Sequence, residues 1–258
     1  METLSLGKHN SKLIELRKAI EHGTLTSEGM LPIEGPKLVH EAERSGIHIH
    51  SLFIRKDAAL DPPVSAANIY EVEPAVFKSI QSTETSQGVV AEVRMPSFTL
   101  PDLLGTSNPL LVVMARLQDP GNVGTIFRVA ECFDSTGCIG LKGTASVFNS
   151  KTVRASAGSL FRLPYVWDLD GQAVFRALQD AGIPVIGTSP TAGKRIDDWD
   201  WSKPAAVVIG NEGSGLSDEE LHSCDTVLRI PHNAKVESLN SATAAAVVLY
   251  EAFRQRQK

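Results

Sequence analysis

Two patterns of hydrophobic positions divide the chain. From residue 110 onward, short continuous apolar runs recur, with amphipathic stretches between them. Continuous runs are typical of strands that are covered on both faces, as in a parallel sheet. The runs that predict such strands are LLVVMA (110–115), GCIGL (137–141), LPYVW (163–167), IPVIGTS (183–189), AAVVIG (205–210) and TVLRI (226–230). Helical spacing of apolar residues predicts helices over 123–133, 173–182 and 217–224.

The first hundred residues carry shorter and more mixed elements, which predict a small α/β domain. The predicted helices are 13–22, 36–46 and 74–82, and the predicted strands are 30–35, 47–54, 68–73 and 87–93. Between the two patterns, the segment PSFTLPDLLGTSNP (96–109) is rich in Pro, Ser, Gly and Asn and keeps no apolar period. We therefore predict a first domain over 1–96, a linker over 97–108 and a second domain over 109–258.

Composition narrows the class of protein. The 258 residues are 42% hydrophobic and 21% charged, which suits a globular chain with a real core. No apolar run approaches the ~20 residues of a membrane span, and the N-terminus turns polar at once, so we expect neither a membrane segment nor a secretory signal. Three cysteines without metal-like spacing predict buried free thiols in a reducing compartment, which points to the cytoplasm. A net charge of −5 argues against indiscriminate nucleic-acid binding and leaves room for local patches.

A first candidate motif is DPGNVGTIFRVAECF (119–133), which follows a predicted strand. Pro120 and Gly121 predict a turn, Asn122 is a candidate helix N-cap, and Arg128 lies off the buried stripe of the helix. Arg128 is either a solvated residue that pairs with Glu131 or a group that faces the strand ends. Ligands of α/β sheets bind outside the carboxyl ends of the strands.

A second candidate is the loop GNEGSGL (210–216). It is neither a P-loop nor a dinucleotide fingerprint, because no Gly-Lys-Ser/Thr follows and the glycine spacing differs. Glu212 either accepts a hydrogen bond from a hydroxyl or amine or faces water.

A third motif, VESLNSA (236–242), precedes an Ala-rich apolar helix. Ser238 and Asn240 either form part of a site or cap this helix. The helix carries an apolar stripe from Ala245 to Ala252, which suits core packing and a subunit interface equally well. Further upstream, Lys151, Arg154 and Arg162 lie among Ser, Gly and Ala and suit either phosphate contacts or a solvated face.

In this order, the motifs resemble those of the SpoU (TrmH-like) RNA 2′-O-ribose methyltransferases of the SPOUT class. The matching segments are DPGNVGTIFRVAECF, VVIGNEGSGLS, LRIPHNAKVESLNSATAAAVVLYE and, as in the ribosomal-RNA branch, SKTVRASAGSLFRLP. The first domain resembles an L30e-like substrate-binding domain through NSKLIELRKAI, LPIEGPKLVHEAERSG and TETSQGVVAEV. The resemblance implies an α/β fold: a small L30e-like domain, then a SPOUT parallel sheet with a C-terminal trefoil knot.

The resemblance also implies site residues and partners. It places Asn122, Arg128, Glu212, Ser238 and Asn240 in the catalytic centre. It places S-adenosylmethionine against Thr188, Ser189, Gly210, Ile230 and Leu239. It implies a homodimer and no metal. We predict that Lys151, Arg154 and Arg162 contact RNA, together with Lys8, Lys12, Arg17 and Lys18.

The implied reaction is attack of a ribose 2′-oxygen on the cofactor's sulfonium methyl. Arg128 is expected to hold a phosphate and the reacting hydroxyl, because a guanidinium rarely loses its proton at neutral pH. The proton acceptor is left open between the phosphate and a transiently neutral guanidine. Asn122 and Glu212 are expected to fix Arg128 and nearby loop amides. Two departures from the family pattern, His232 for the usual Met and Ser241-Ala242 for Val-Ser or Val-Ala, are expected to affect only cofactor packing. Ribosomal RNA is preferred over transfer RNA, and the alternatives are a tRNA methyltransferase or a catalytically silent RNA-binding homologue.

Overall fold

The computed structural model of the protein describes residues 4–257. Its strands are β1 (Leu4–Leu6), β2 (Leu31–Glu34), β3 (Ile49–Arg55), β4 (Asn68–Val72), β5 (Val89–Val93), β6 (Leu110–Met114), β7 (Gly137–Leu141), β8 (Tyr165–Leu169), β9 (Val185–Thr188), β10 (Lys194–Arg195), β11 (Ala205–Ile209) and β12 (Thr226–Arg229). Its α-helices are α1 (Ser11–His22), α2 (Pro36–Arg44), α3 (Pro74–Phe77), α4 (Leu100–Leu104), α5 (Pro120–Cys132), α6 (Ser150–Ala155), α7 (Ser159–Arg162), α8 (Gly171–Asp180), α9 (Asp218–Ser223) and α10 (Ser241–Arg256). A 3₁₀ turn covers Ile196–Asp198.

The chain divides into two compact units. The first unit comprises Met1–Pro96 with Ser146–Arg162, and the second comprises Ser97–Ala145 with Leu163–Lys258. Residues 146–162 thus group with the first unit, although in sequence they lie inside the predicted second domain. The domain boundaries that we drew from sequence stay a prediction.

The first unit is built on a five-stranded mixed sheet. The strand order is β1-β4-β3-β5-β2, in which β5 runs antiparallel to both of its neighbours and the remaining pairs are parallel. Helix α1 buries Leu13 and Leu16 against Phe53 and Phe77, and this cluster forms a core of the unit. Asn10 caps α1 and Gly23 ends it in the left-handed conformation, as favoured at these two positions.

The second unit carries the parallel sheet that the apolar runs predicted. Its order is β10-β12-β9-β11-β6-β7-β8, and every pair is parallel. Strands β6, β7 and β11 are buried along their whole length. Helices α8 and α9 pack together near β9, while α5 and α10 pack against each other and contact β7 and β11. The α/β class and the parallel sheet are confirmed, and the trefoil knot stays a prediction.

The structure differs from the sequence expectations in short elements. Every predicted strand is present, but β1 and β10 were not predicted because each has no more than three residues. Within the predicted linker, α4 forms and is stabilised by a capping box between Thr99 and Asp102. The predicted helix 74–82 is helical only over Pro74–Phe77.

Three further features correct or complete the predictions. The stripe from Ala245 to Ala252 is buried within the second unit, so it belongs to the core and is not free to form a subunit interface. All three cysteines are free, but Cys132 is exposed. In the described part of the chain, no helix is long and apolar enough to cross a membrane.

Candidate active site

The first turn of α5 brings one side of the site into place. Asp119 is the N-cap, since its Oδ1 accepts a hydrogen bond from the N–H of Gly121 at 2.8 Å. Pro120 then occupies the first helical position, where its missing N–H and fixed φ are favourable. The expectation that Asn122 caps this helix is therefore wrong. Asn122 lies inside the first turn, and its amide is free to face another element.

The loop after β11 forms a tight hairpin around Asn211. The backbone groups of Asn211 and Gly215 are bonded to each other, with N–O distances of 3.1 and 2.9 Å. The Asn211 Oδ1 also accepts from the N–H groups of Gly213 and Ser214. Gly210 is required at the start of the loop, because a Cβ there would lie 2.5 Å from the backbone carbon of Gly215. The glycines therefore serve a folded loop with a defined shape, and Glu212 lies at its tip.

Glu212 connects this loop to α5 through three hydrogen bonds. Its carboxylate accepts from the N–H of Gln118 at 3.0 Å, the N–H of Asp119 at 3.2 Å and the side-chain amide of Asn122 at 3.0 Å. A carboxylate only accepts hydrogen bonds, so the amide nitrogen of Asn122 must face it. The interpretation of Glu212 as a residue that merely faces water is excluded.

The hydrogen bonds also set the charge of Glu212. Partial burial opposes ionisation, but the Asn122 amide and the N–H groups of Gln118 and Asp119 outweigh it and lower the pKa of the carboxyl group. The site therefore holds a stable negative charge near neutral pH.

Asn240 extends the same network to the third motif. Its Nδ2 donates to the Oδ1 of Asn122 at 3.0 Å. Its own Oδ1 caps α10 by accepting from the N–H groups of Ala242 and Thr243. Asn240 is thus both a cap and a member of the site. The chain Glu212–Asn122–Asn240, which we call the motif network, joins all three sequence motifs.

A cleft of about 210 Å³ opens beside the motif network, where β9, β11 and β12 end. Its walls combine apolar side chains with small polar ones. All five residues that the resemblance assigns to the cofactor line it, as do Glu212 and Ser238 from the catalytic set: Thr188, Ser189, Gly210, Ile230, Leu239, Glu212 and Ser238. Their position is thus established, and their roles stay predictions.

Arg128 lies outside the motif network. It is exposed, and among residues 4–257 no hydrogen bond or ion pair engages its guanidinium. Six helical residues separate it from Asn122, which places it about 9 Å further along α5 and about 120° around the helix. Glu212 accepts from the N–H groups of Gln118 and Asp119, Asn122 bonds to Glu212 and Asn240, and neither of the two holds Arg128. Its catalytic role stays a prediction.

The three basic residues predicted to contact RNA lie in the first unit. Arg154 donates to the Ser82 hydroxyl at 2.6 Å, and Arg162 pairs with Glu41 at 2.5 Å. Lys151 lies at the start of α6 and also has a partner. These contacts connect α6 and α7 to other parts of the first unit. The side chains of Arg154 and Arg162 therefore stabilise the fold, besides the RNA contact that we predict for them.

Sequence reasoning missed three contributors to the site, Gln118, Asn211 and Arg116, and it noted a fourth, His232, only as a departure from the family pattern. Gln118 and Asn211 act through a backbone N–H and a loop fold, which no residue pattern indicates. His232 lines the cleft, and its Nδ1–H donates to the Ile230 carbonyl at 2.8 Å. The Arg116 side chain donates to the Gly215 carbonyl, in the loop that carries Glu212, and to Glu220 of α9. Among residues 4–257, no group of three or more His, Cys, Asp or Glu side chains is placed to hold a metal.

Family models match both parts of the chain. Residues 109–250 match the SpoU rRNA Methylase family, and residues 11–91 match the MRM3-like substrate binding domain.

Characterised proteins and solved structures agree with these matches. The chain is 30% identical over 242 residues to the 23S rRNA (guanosine(2553)-2′-O)-methyltransferase RlmP of Bacillus subtilis, which covers 93% of this chain and 95% of that protein. It is 34% identical to the 23S rRNA (guanosine-2′-O-)-methyltransferase RlmB of Ralstonia nicotianae over 70% of this chain and 74% of that protein. The SpoU methyltransferase AviRb from Streptomyces viridochromogenes, solved with the cofactor AdoMet, superimposes with a TM-score of 0.85 at 29% identity, over 97% of this chain and 99% of that one.

Proposed function

The chain belongs to the SpoU rRNA methylase family, and from this premise we propose that it methylates a ribose 2′-oxygen of RNA. The methyl donor is S-adenosylmethionine and the substrate is large-subunit (23S) ribosomal RNA. The motif network carries the proposal, because it joins three distant motifs at the mouth of one cleft. A loop that served only as a turn would not require a carboxylate bonded to the first turn of α5.

The residues of the cleft fit the cofactor. Ile209, Leu228, Ile230 and Leu239 offer apolar walls for an adenine ring. Ser and Thr hydroxyls and the backbone of the Gly-rich loop offer hydrogen bonds to ribose hydroxyls and to an amino acid moiety. Relatives support the assignment, since AviRb is solved with AdoMet. When bound, the cofactor would supply a methyl group activated by its sulfonium: as the 2′-oxygen bonds to the methyl carbon, the carbon–sulfur bond would break and the sulfur would leave as a thioether.

The protein's contribution is to align the two reactants and to receive a proton. Well-oriented pairs gain about 7–11 kcal/mol from proximity. Glu212 and Asn122 keep the Gly-rich loop against α5, so that the cleft has its shape before RNA arrives. Ser238 and Asn240 shape the entrance where the 2′-oxygen meets the methyl group.

Arg128 reaches the RNA. An exposed guanidinium with no partner among residues 4–257 is suited to bind a phosphate beside the reacting ribose. It also orients the 2′-hydroxyl by donating to its oxygen. The proton of the 2′-hydroxyl leaves to the phosphate beside the reacting ribose or to a solvent molecule.

The choice of ribosomal RNA is supported by relatives that match both domains. RlmP of Bacillus subtilis acts on 23S rRNA and aligns over 93% of this chain. The first unit supplies the MRM3-like substrate binding domain, whose sheet and helices would grip a folded RNA element. RNA is recognised mainly by shape and by unpaired bases, so a net charge of −5 is compatible with selective binding.

A homodimer is the assembly that we propose. The buried stripe of α10 is not its interface, but the next face of the same helix is partly open. Tyr250 is 54% exposed and packs its ring near Phe133, the C-cap residue that follows α5, and Phe133 also contacts Phe253. An exposed aromatic patch on two packed helices is suited to meet its own copy about a two-fold axis. Sedimentation of the wild type and of Tyr250→Glu tests it: we expect a dimer and a monomer, respectively.

One experiment decides between the substrates. We propose that the protein acts in the cytoplasm. In the experiment, the purified protein is incubated with methyl-labelled S-adenosylmethionine and separate pools of 23S rRNA and tRNA. We expect label in rRNA only, at one ribose that resists alkaline cleavage. Label in tRNA alone would establish the tRNA alternative. Cofactor binding without label in either pool would establish the silent RNA-binding homologue, and absence of cofactor binding would overturn the proposal.

A further inference from the structure

Arg116 has an unusual backbone conformation at the end of β6. Its φ is +60°, a left-handed value that a non-glycine residue rarely adopts because the Cβ is strained there. In this conformation its carbonyl accepts from the Asn211 side chain at 2.8 Å and from the Gln118 side chain at 3.0 Å. Its N–H donates to the Thr144 hydroxyl at 3.0 Å. The backbone of Arg116 thus contacts Asn211, which precedes Glu212 in the loop, and Gln118, whose N–H donates to the Glu212 carboxylate.

The side chain of Arg116 grips the far end of the same loop. Its guanidinium binds both carboxylate oxygens of Glu220, with Nε 3.1 Å from Oε1, and its Nη2 lies 3.4 Å from the carbonyl oxygen of Gly215. Glu220 also completes the capping box that begins α9, by accepting from the N–H of Ser217 at 2.7 Å. The pair is largely sheltered, since 35% of the Arg116 side chain and 13% of the Glu220 side chain are exposed.

We propose that Arg116 is a positioning residue for the cofactor, acting as a two-point clamp on the loop from Gly210 to Leu216. The carbonyl fixes Asn211 at the start of the loop, and the guanidinium fixes Gly215 and the beginning of α9 at its end. The loop lines the cofactor cleft on its other side, so Arg116 acts through the loop and makes no contact with the cleft itself. This inference rests on the proposed function, because the bound molecule is S-adenosylmethionine.

The clamp explains why an arginine tolerates the left-handed backbone. Glycine would adopt φ of +60° without strain, but it would give no bidentate partner to Glu220. Removal of the guanidinium would also leave a mostly buried carboxylate without its cation. The loop would then sample conformations in which Glu212 is not bonded to Asn122. The cofactor would have to order the loop on binding, which lowers its affinity.

The test compares four single variants and the double variant Arg116→Gly/Glu220→Gln with the wild type, by calorimetric titration with S-adenosylmethionine and by steady-state kinetics. Arg116→Gly removes the side chain and keeps the backbone conformation, Arg116→Lys keeps the charge without the bidentate geometry, and Glu220→Gln keeps the capping acceptor. The control is Arg195→Ala, because Arg195 makes a bidentate pair with Asp197 in the same unit, away from the cleft.

We expect Arg116→Gly to raise the Kd and the KM for the cofactor about tenfold, with kcat at saturating cofactor and the KM for RNA within about threefold of wild type. Glu220→Gln should show the same pattern, the double variant should be no worse than Arg116→Gly, and Arg116→Lys should recover part of the loss. Arg195→Ala should bind like the wild type. A lower kcat with an unchanged cofactor Kd would mean a merely structural role and would overturn the clamp. If the wild type itself does not bind the cofactor, the proposed function fails first; if it binds and Arg116→Gly binds equally well, only the clamp fails.

Discussion

The first turn of α5 and the middle of the same helix differ in how their polar groups are satisfied. In the first turn, Asn122 is bonded on one side to Glu212 and on the other to Asn240. Two turns later, Arg128 is exposed and has no partner among residues 4–257. The same helix therefore carries one group that is fixed before any ligand binds and one that is left available.

This difference indicates a division of labour. Groups that shape a pocket are most effective when hydrogen bonds hold them in place in advance. A group that must recognise a mobile phosphate is better left without an internal partner, since an internal ion pair would compete with the RNA. Under the proposed function, the motif network would therefore serve the cofactor side of the reaction, and Arg128 the substrate side.

Arg128→Ala should give the largest effect. We expect methyl transfer to fall about a thousandfold, equivalent to about 4 kcal/mol of transition-state stabilisation, because both phosphate anchoring and hydroxyl orientation are lost. Cofactor affinity should not change, since Arg128 lies outside the cleft. Single-turnover methylation and calorimetry measure the two quantities separately.

Arg128→Lys is the informative companion to that variant. Lysine retains the charge but not the planar set of donors, so an intermediate rate would support bidentate binding of the phosphate and hydroxyl. If Arg128→Ala methylates RNA at the wild-type rate, Arg128 has no role in the reaction. The proposed difference in function between Asn122 and Arg128 would then be wrong.

Glu212→Gln should give the second largest effect. One carboxylate oxygen would become an NH₂ group, so at least one of the donors of Gln118, Asp119 and Asn122 would lose its acceptor. We expect methyl transfer to fall about a hundredfold and cofactor affinity to weaken severalfold. Glu219→Gln, an exposed neighbour on α9, is the matched control and should behave like the wild type.

The same variant reveals a pH dependence. The pKa of Glu212 is lowered in the folded protein, mainly because three donors outweigh the opposing effect of burial. Its ionised form therefore contributes stability above its ordinary pKa of 4.5, and this contribution is lost as the pH falls through the lower folded value. We expect the melting temperature of the wild type to exceed that of Glu212→Gln at neutral pH, and the gap to close as the pH falls below 4.5 and through the lowered pKa of Glu212. A gap that persists in acid would mean that the charge of Glu212 does not stabilise the loop.

Some of the site followed from sequence because strand ends are easy to recognise. The apolar runs before Thr188, Gly210 and Ile230 end at one edge of a parallel sheet, so the residues after them meet in space. The resemblance then supplied the identity of Glu212, Asn122 and Asn240. The buried stripe of α5 also followed from its helical spacing.

The remainder depended on contacts that residue order does not encode. Asp119, one residue before Pro120, caps α5, although we predicted Asn122 as the cap. Asp and Asn are equally suitable N-caps, so residue type alone did not decide between them. The segment 146–162 groups with the first unit although it is distant from it in sequence, because Arg154 and Arg162 bond to Ser82 and Glu41. Arg116 was invisible because its function arises from a backbone angle and from a carboxylate about a hundred residues away.

Arg154→Ala should give the smallest effect, and it extends the contrast between fixed and available groups to the first unit. Arg154 is fixed by the Ser82 hydroxyl, so it resembles Asn122 more than Arg128. We expect its loss to lower the free energy of unfolding by about 0.5–1 kcal/mol. If it also contacts a phosphate as predicted, the slope of log affinity against log salt should decrease by about 1. Ser82→Ala is the control, because it removes the internal hydrogen bond and leaves the cation. A salt slope that is unchanged in Arg154→Ala would assign this arginine to the fold of the first unit alone.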